Sequence, residues 1–522
     1  MDRPGDPGTT RMAELLAALS LGIDLGFGQP MEHVLRQCRI ALRVCELIGL
    51  SDDERVAVYY TALLVNVGCH TDAHEQAYWF GDDIAMKSTK YDHEPFSIGD
   101  VATMIRLLGS GATPLHRVRV AFDFAISGRK EVDGMIERHA ALARSLAAEL
   151  GLPESVLASV GSSYERWDGK GWPGDLAGDD IPLASRITQL AEFVEVAQRT
   201  GGIEAAQAIA ERRAGKQFDP RLSAVLVADA EKVFNGIDDL GSWDAVIDGE
   251  PALTVVLSPE ECDAALEAIA RFVDLKSPYR LGHSQAVADL AANAGRLLAL
   301  PPDEIRTLFR AGLATSFGTL GVSNAIWDKP GPLTAGEWER VRLAPHLTER
   351  MLHQSESLAA VGRLAVQHRE RLDGSGYPRG LSGSAISRGG RILAAADAYQ
   401  SMREPRPFRD AKSADDTARE LRADVQAGRL DASAVDAVLS AAGHRVGRRR
   451  EGPAGLTSRE VEVLRLLARG LSNKQIAASL TITPKTASNH VEHIYTKIGA
   501  SNRATASLFA MQHGLLPDDS AD

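Results

Sequence analysis

The chain has 522 residues, 44% of them hydrophobic and 25% charged, with a formal net charge of −12. That length exceeds what one hydrophobic core supports, so two to four domains are expected, and the composition is that of a soluble globular protein. With no charged-then-apolar leader and no apolar run of eighteen residues, secretion and membrane spanning are disfavoured and a cytoplasmic location is expected.

The four cysteines (Cys38, Cys45, Cys69, Cys262) are scattered without a CxxC pair, as expected of reduced thiols, and Cys38 and Cys45 are placed in a helix core. An acidic total argues against a nucleic-acid binder, but the charge is uneven. From His444 to Leu515, eleven Lys and Arg face four Glu, a balance of +7, which leaves −19 for the remainder. Attraction to a polyanion is therefore confined to one end of the chain.

The body repeats itself. YERWDGKGWPGDLAG (164–178) matches HRERLDGSGYPRGLSG (368–383), and GKQFDPRLSAVL (215–226) matches GRLDASAVDAVL (428–439). The interval from His33 to Asn66 equals that from His283 to Ser316, 33 residues; His139 to Glu165 equals Ala344 to Glu370, 26 residues; Asp168 to Glu192 equals Asp373 to Asp397, 24 residues. Asn66 and His139 are 73 apart, however, whereas Ser316 and Ala344 are 28 apart, so repeat one carries about 45 extra residues, roughly 70–115. That insertion includes Tyr78, Trp79, Phe80, Asp82 and Asp83.

Segments such as 33–50 and 283–300 have helical periodicity, and no alternating strand pattern of useful length appears. An all-α fold is predicted: repeat one at 11–235, a linker at 236–258, repeat two at 259–442, a flexible Gly/Arg-rich basic linker at 443–455 and a tail domain at 456–515.

On DGSGYPRGL and on WDKPGPLTAGEWERVRLAPHLTERML (327–352), the body resembles HD-GYP domains. The resemblance implies metal-dependent phosphodiesterases of cyclic dinucleotides, with an adjacent His-Asp, further His residues and a later Asp holding the metals. Here the His-Asp positions are Thr315-Ser316 and Val65-Asn66, the Lys that usually follows is Thr319, and a further His position is Ala344. The His-His positions are His368-Arg369 and Ser163-Tyr164. Ala and Val cannot coordinate, neutral Thr, Ser and Asn are poor ligands, and Arg369 adds a repelling charge. The expectation is accordingly a degenerate body with no catalytic residues, no metal and no cofactor. The surviving His33, His139 and Glu192, with His283, His368, Arg369 and Asp397, would line ligand pockets where metals sat. Arg369, Arg371 and Arg391 are candidates for phosphate, and the loops at Gly171-Trp172-Pro173 and Gly376-Tyr377-Pro378 read as structural turns in which Gly permits a positive φ.

The tail reads as four short capped helices. Thr457 with Glu460 and Ser472 with Gln475 form capping boxes, Thr483 caps a helix beginning at Pro484, and Ser501 is placed to cap the last. In the third helix Ala487, Val491, Ile494 and Ile498 make an apolar face, and Lys485, Ser488, Asn489, Glu492 and Thr496 project from the other. On LTSRE, GLSNKQIA and TPKTASNHV the tail resembles the LuxR-type DNA-binding domain. The resemblance implies a recognition helix at 484–498 and a dimerising helix from Asn502, with Ala504, Ala506, Leu508 and Met511 available for packing. The DNA-facing set is then Lys474, Lys485, Thr486, Ser488, Asn489, Glu492, Lys497 and Arg503.

Taken together, these features predict a transcription regulator with a sensory or dimerising body. Its expected partners are double-stranded DNA, a second copy of the chain, a small-molecule effector and, at a promoter, RNA polymerase. The alternatives are a bifunctional phosphodiesterase tethered to a DNA-binding domain and a ligand-free oligomerisation scaffold.

Overall fold

The computed structural model describes residues 10–92, 98–110, 114–237, 242–251, 255–444, 453–513 and 515. The chain forms two compact units, Met1–His444 and Arg445–Asp522. Helices dominate both; among the described residues the sheet is one two-residue antiparallel pairing, Thr10–Arg11 with Val256–Leu257. The all-α expectation holds.

In the larger unit, repeat one is built on His33–Ile48, Asp52–Leu64 and Leu183–Arg213, and repeat two on His283–Leu297, Pro302–Ala314 and Arg388–Arg403. Cys38 and Cys45 lie fully buried on His33–Ile48, and burial pushes the Cys45 thiol up to about 12. The four cysteines are free thiols.

The two repeats share an equivalent tight crossing. A Cβ on Gly318 would lie 1.8 Å from the Ala344 carbonyl oxygen, and one on Gly68 would lie 2.2 Å from that of His139. Both glycines sit two residues past the Thr315-Ser316 and Val65-Asn66 pairs, so the backbone contact holds equivalent site segments against equivalent helices.

The N-terminal helix Met12–Gly26 is apolar nearly all round, and most of its residues are buried. It packs against His33–Ile48 of repeat one and Ala335–His353 of repeat two, which is why it shows no polar face. The segment read as a linker, 236–258, is packed structure in its described part: Ser242–Asp248 is a helix against His33–Ile48, and Val256–Leu257 pairs with the N-terminus.

The insertion also folds, into Ala73–Phe80, Asp83–Ser88, Ile98–Leu107 and the start of Pro114–Glu149. Its Asp83, fully buried, accepts from Lys87 at 3.1 Å and Lys276 at 3.5 Å through Oδ2, and from Ser323 Oγ at 2.7 Å and Asn324 N at 2.8 Å through Oδ1. Burial opposes that charge, but the two ammonium groups and the two donors hold the carboxyl well below its usual range. The insertion is thereby fastened to repeat two.

The smaller unit contains Ser458–Ala468, Asn473–Leu480, Pro484–Ile498 and Arg503–Gln512 around Leu464, Leu467, Ile476, Ala487, Val491, Ile494 and Ala506. Both capping boxes form, and Thr483 accepts from Thr486 N at 3.1 Å. The last helix is capped by Asn502 rather than Ser501, its side chain accepting from Thr505 N at 3.0 Å. Most of the basic linker 443–455 lies outside the described residues.

Candidate functional site

In repeat two, His283 opens its helix directly after Gly282, so its ring enters the bundle. Nδ1 meets Glu404 Oε2 at 2.9 Å, and Nε2 meets Asp397 Oδ1 at 3.2 Å. Arg369 Nη2 donates to Asp397 Oδ1 at 3.3 Å, while Nη1 lies 3.2 Å from Oδ2 as an ion-pair contact without hydrogen-bond geometry. Asp397 is wholly buried. Burial opposes its charge, but Arg369, His283 and His368 outweigh it and hold the carboxyl well below the usual range. His368 Nδ1 donates to the Ala365 carbonyl at 2.8 Å, and burial, with Arg369 beside it, lowers His368 to about 4. The four residues read from sequence therefore do come together.

Three further residues complete the site and were not read from sequence: Arg280, Glu404 and Arg406. Arg280 Nη2 donates to Ser316 Oγ at 2.9 Å, and Ser284 Oγ donates to the same oxygen at 2.7 Å. The second position of the resembled His-Asp pair thus holds a hydroxyl that accepts from a guanidinium. Arg406 donates to Glu404 Oε2 at 2.9 Å and to the Tyr279 carbonyl at 2.8 Å. Their signal in the sequence was only proximity to an anchor, Arg280 three residues before His283 and the Glu404–Arg406 pair just beyond Asp397.

Arg280, Arg369, Arg406 and Arg409 line a cavity of about 590 Å³ whose walls include Tyr279, Trp327, Trp338, Tyr377 and Phe408. Arg371 and Arg391 do not line it. Arg371 donates to the Glu370 carbonyl at 3.1 Å, and Arg391 pairs with Asp431 at 3.3 Å beside a separate depression.

The GYP-type loops are turns, as expected, but for another reason. A Cβ on Gly376 would meet Arg371 N at 2.4 Å and one on Gly171 would meet Arg166 N at 2.5 Å, so close backbone approach, rather than a positive φ, demands glycine there. Glu370 holds one loop by accepting from Arg379 N and Leu381 N, and Glu165 holds the other by accepting from Gly174 N, Asp175 N and Leu176 N.

Repeat one brings His33 and Glu192 together but fills the space between with the insertion. Lys90 Nζ donates to Glu192 Oε1 at 2.6 Å and to Asn66 Oδ1 at 2.9 Å; Tyr91 Oη donates to Glu192 at 2.9 Å. Burial opposes the Glu192 charge, yet Lys90 and Asn66 keep its carboxyl below the usual range. His33 pairs with Glu195 through Nδ1. His139 faces Asp72 at 2.8 Å and also hydrogen-bonds Cys69, whose Sγ lies 2.8 Å from Tyr164 Oη. His139 and Glu192 both line a cavity of about 250 Å³.

The residues present do not fit the two metal ions that the HD-GYP resemblance implies. Among the described residues no group of three or more His, Cys, Asp or Glu is placed to hold a metal. The void between Thr315, Thr319, Ala344, His368 and Arg369 is about 10 Å³, room for one water at most.

In the smaller unit Lys474, Lys485, Thr486, Asn489 and Glu492 are exposed, and Ser488 accepts from Asn473 at 2.9 Å. Lys497 and Arg503 are engaged inside the domain. Lys497 binds Glu460 at 2.7 Å and the Gly455 carbonyl at 3.2 Å, and Arg503 donates to the Gly470 and Leu471 carbonyls. Ala506 is fully buried in the domain's own core, so it is not available to a partner; Ala504, Leu508 and Met511 are exposed.

The HD domain family matches residues 129–222 and 267–434, and the luxR family of bacterial regulatory proteins matches 454–510. The chain belongs to the HD domain family and carries a LuxR-type helix-turn-helix domain that binds DNA. It is 32% identical over 411 residues, 78% of this chain and 89% of the relative, to 3'3'-cGAMP-specific phosphodiesterase 3 of Vibrio cholerae serotype O1. It is 32% identical over 177 residues, 33% of this chain and 46% of the relative, to the cyclic di-GMP phosphodiesterase response regulator RpfG of Xanthomonas campestris pv. campestris. A crystal structure of a cyclic GMP-AMP-specific phosphodiesterase of V. cholerae, V-cGAP3, aligns with a TM-score of 0.59 at 28% identity, over 84% of this chain and 98% of that one. These relatives overturn the expectation that the body is not an enzyme: a near full-length relative and a fold neighbour are both phosphodiesterases. Among the described residues no helix is long and apolar enough to cross a membrane.

Proposed function

We propose that the chain is a cytoplasmic DNA-binding regulator joined to an HD-domain phosphodiesterase body whose substrate is a 3′3′-linked cyclic dinucleotide. The observation that carries this function is the cavity of repeat two. At about 590 Å³ it falls in the size range of small-molecule sites. Its aromatic residues offer faces for bases, and its arginines offer charge for phosphate. The near full-length relative supports the substrate class. Occupancy of the body would favour one of its conformations and thereby alter how two DNA-binding domains are presented.

On DNA, the exposed Lys485, Thr486, Asn489 and Glu492 of Pro484–Ile498 face the major groove. Lys485 supplies phosphate affinity and Asn489 supplies base choice. Ala504, Leu508 and Met511 share one face of Arg503–Gln512, at i, i+4 and i+7, and pair two copies on an inverted repeat. RNA polymerase is the partner such a complex would meet at a promoter.

The test is incubation of the full chain with 3′3′-cGAMP or cyclic di-GMP, with and without manganese, followed by chromatography. Conversion to a linear dinucleotide is expected. The assignment is refuted if neither nucleotide gives conversion or a ligand-induced rise in Tm.

A further inference from the structure

We infer that repeat two holds its phosphodiester on three guanidinium groups, Arg280, Arg369 and Arg406, so that binding in this cavity needs no divalent metal. The inference rests on the proposed function and specifies how that same site takes the anion.

Guanidinium groups crowd one wall of this cavity. Arg369 pairs with Asp397 and Arg406 with Glu404, whereas Arg280 donates to the Ser316 hydroxyl and Arg409 to backbone carbonyls; Lys329 on the lining is matched by Glu337, and Asp328 also lines the cavity. Arg406 is held down to about 10 by burial and then by Arg280 and Arg369 close by. A cluster of mutually repelling, partly desolvated cations is stabilised by an anion placed among them.

Unused donors point the same way. Arg280 Nε and Trp327 Nε1 are buried without a hydrogen-bond partner among the described residues, as is Ser401 Oγ, and all three residues line this one cavity. A buried N–H without an acceptor costs free energy, so such atoms mark where an acceptor belongs. A phosphodiester oxygen is such an acceptor, and a guanidinium fork matches its geometry.

The substitutions in the ligand set fit this chemistry. Thr315, Ser316 and Ala344 place no carboxylate or imidazole where one would hold a metal, which also removes charge that would repel phosphate. The walls indicate what flanks the phosphate. Arg280 already stacks over the Trp327 ring at 5.7 Å, and Trp338 and Phe408 are large aromatics 43% and 62% exposed. Planar rings on both sides of a phosphodiester suit them.

The experiment is calorimetric titration of the full chain with 3′3′-cGAMP, bis(4-nitrophenyl) phosphate and inorganic phosphate, each in EDTA and again in manganese. The first two probes are expected to bind equally well in both buffers, and inorganic phosphate more weakly. Arg406→Gln should weaken both diesters roughly tenfold or more, the loss of a charge-assisted hydrogen bond. Trp338→Ala, at a half-exposed position that does not threaten folding, should weaken the ring-bearing probes and leave inorganic phosphate unchanged; circular dichroism checks that both variants are folded. Diester binding abolished by EDTA, or unaffected by both substitutions, overturns the inference. Manganese-dependent turnover that survives Arg406→Gln also removes the guanidinium site while leaving the phosphodiesterase standing. Metal-free binding of bis(4-nitrophenyl) phosphate without any engagement of cyclic dinucleotide keeps the site and removes the substrate assignment.

Discussion

Replacing Arg369 with Met should expose how strongly the site is cross-braced. Asp397 is 0% exposed, and its two oxygens face Arg369 at 3.2–3.3 Å. Removing one member of a buried ion pair typically costs about 3–5 kcal/mol, because the remaining charge is left uncompensated. Here His283 stays on Asp397 Oδ1 and the Arg369 side chain is 22% exposed, so about 3 kcal/mol is expected for Arg369→Met. Asp397→Asn alone should cost about 2 kcal/mol, since the guanidinium left behind reaches water. The double variant should cost less than the sum by about 2 kcal/mol, the coupling of a close buried pair. Guanidinium chloride unfolding of the body, followed separately from the DNA-binding unit, measures all three. Additive costs, with coupling below about 0.5 kcal/mol, would show that the pair is not a coupled unit and refute the electrostatic account.

Gly318→Ala should destabilise the body by more than about 3 kcal/mol in the same denaturation assay, because its Cβ would fall 1.8 Å from the Ala344 carbonyl oxygen and only backbone movement relieves that. His368, buried and lowered to about 4 from 6.5, takes up its proton in the unfolded chain first. Its contribution is therefore intact above pH 6.5 and is lost as pH falls toward 4, by up to about 3 kcal/mol; His368→Asn should flatten that part of the stability–pH curve. Lys485→Ala should weaken all DNA sequences alike and lower the salt slope by about 1, whereas Asn489→Ala should relax the choice at one base pair at a cost of about 1–3 kcal/mol; selection from a randomised operator library measures both. Leu508→Asp should abolish occupancy of the second half-site in footprinting without unfolding the domain, because Leu508 is 52% exposed.

What was legible in sequence is what local chemistry dictates. The capping boxes at Thr457 and Ser472 and the start at Pro484 form as written, because a hydroxyl and a carboxylate or amide three residues apart satisfy each other's backbone donors within one turn. Ser501 lost the last cap to its neighbour Asn502, a shift of one residue between two competent capping side chains. His283, His368, Arg369 and Asp397 converge because the repeat register is a chain-wide constraint. Arg280, Arg406 and Lys90 were not legible. Each is aimed by an element whose packing is tertiary, and one charged residue of 128 has no periodicity to mark it. Met12–Gly26 escaped notice as the joint between repeats because a helix buried on all sides has no amphipathic stripe.

The two repeats treat the same carboxylate position alike by different means. Glu192 and Asp397 occupy equivalent register positions, both are buried, and each is met by a cation from another element, Lys90 in repeat one and Arg369 in repeat two. A buried carboxylate has to be paired, neutralised or metal-bound, so whichever partner the chain supplies determines what else can enter. In repeat two the partner arrives on the 3-10 turn Val366–Arg369, and its guanidinium also lines the large cavity. In repeat one it arrives on the insertion, seven residues from Asp83, which is bound to Lys276, Ser323 and Asn324 of repeat two. The segment that supplies Lys90 to Glu192 is therefore also the segment that fastens the two repeats together through Asp83, so the cation that closes the repeat-one site is held in place by close-packed structure of repeat two.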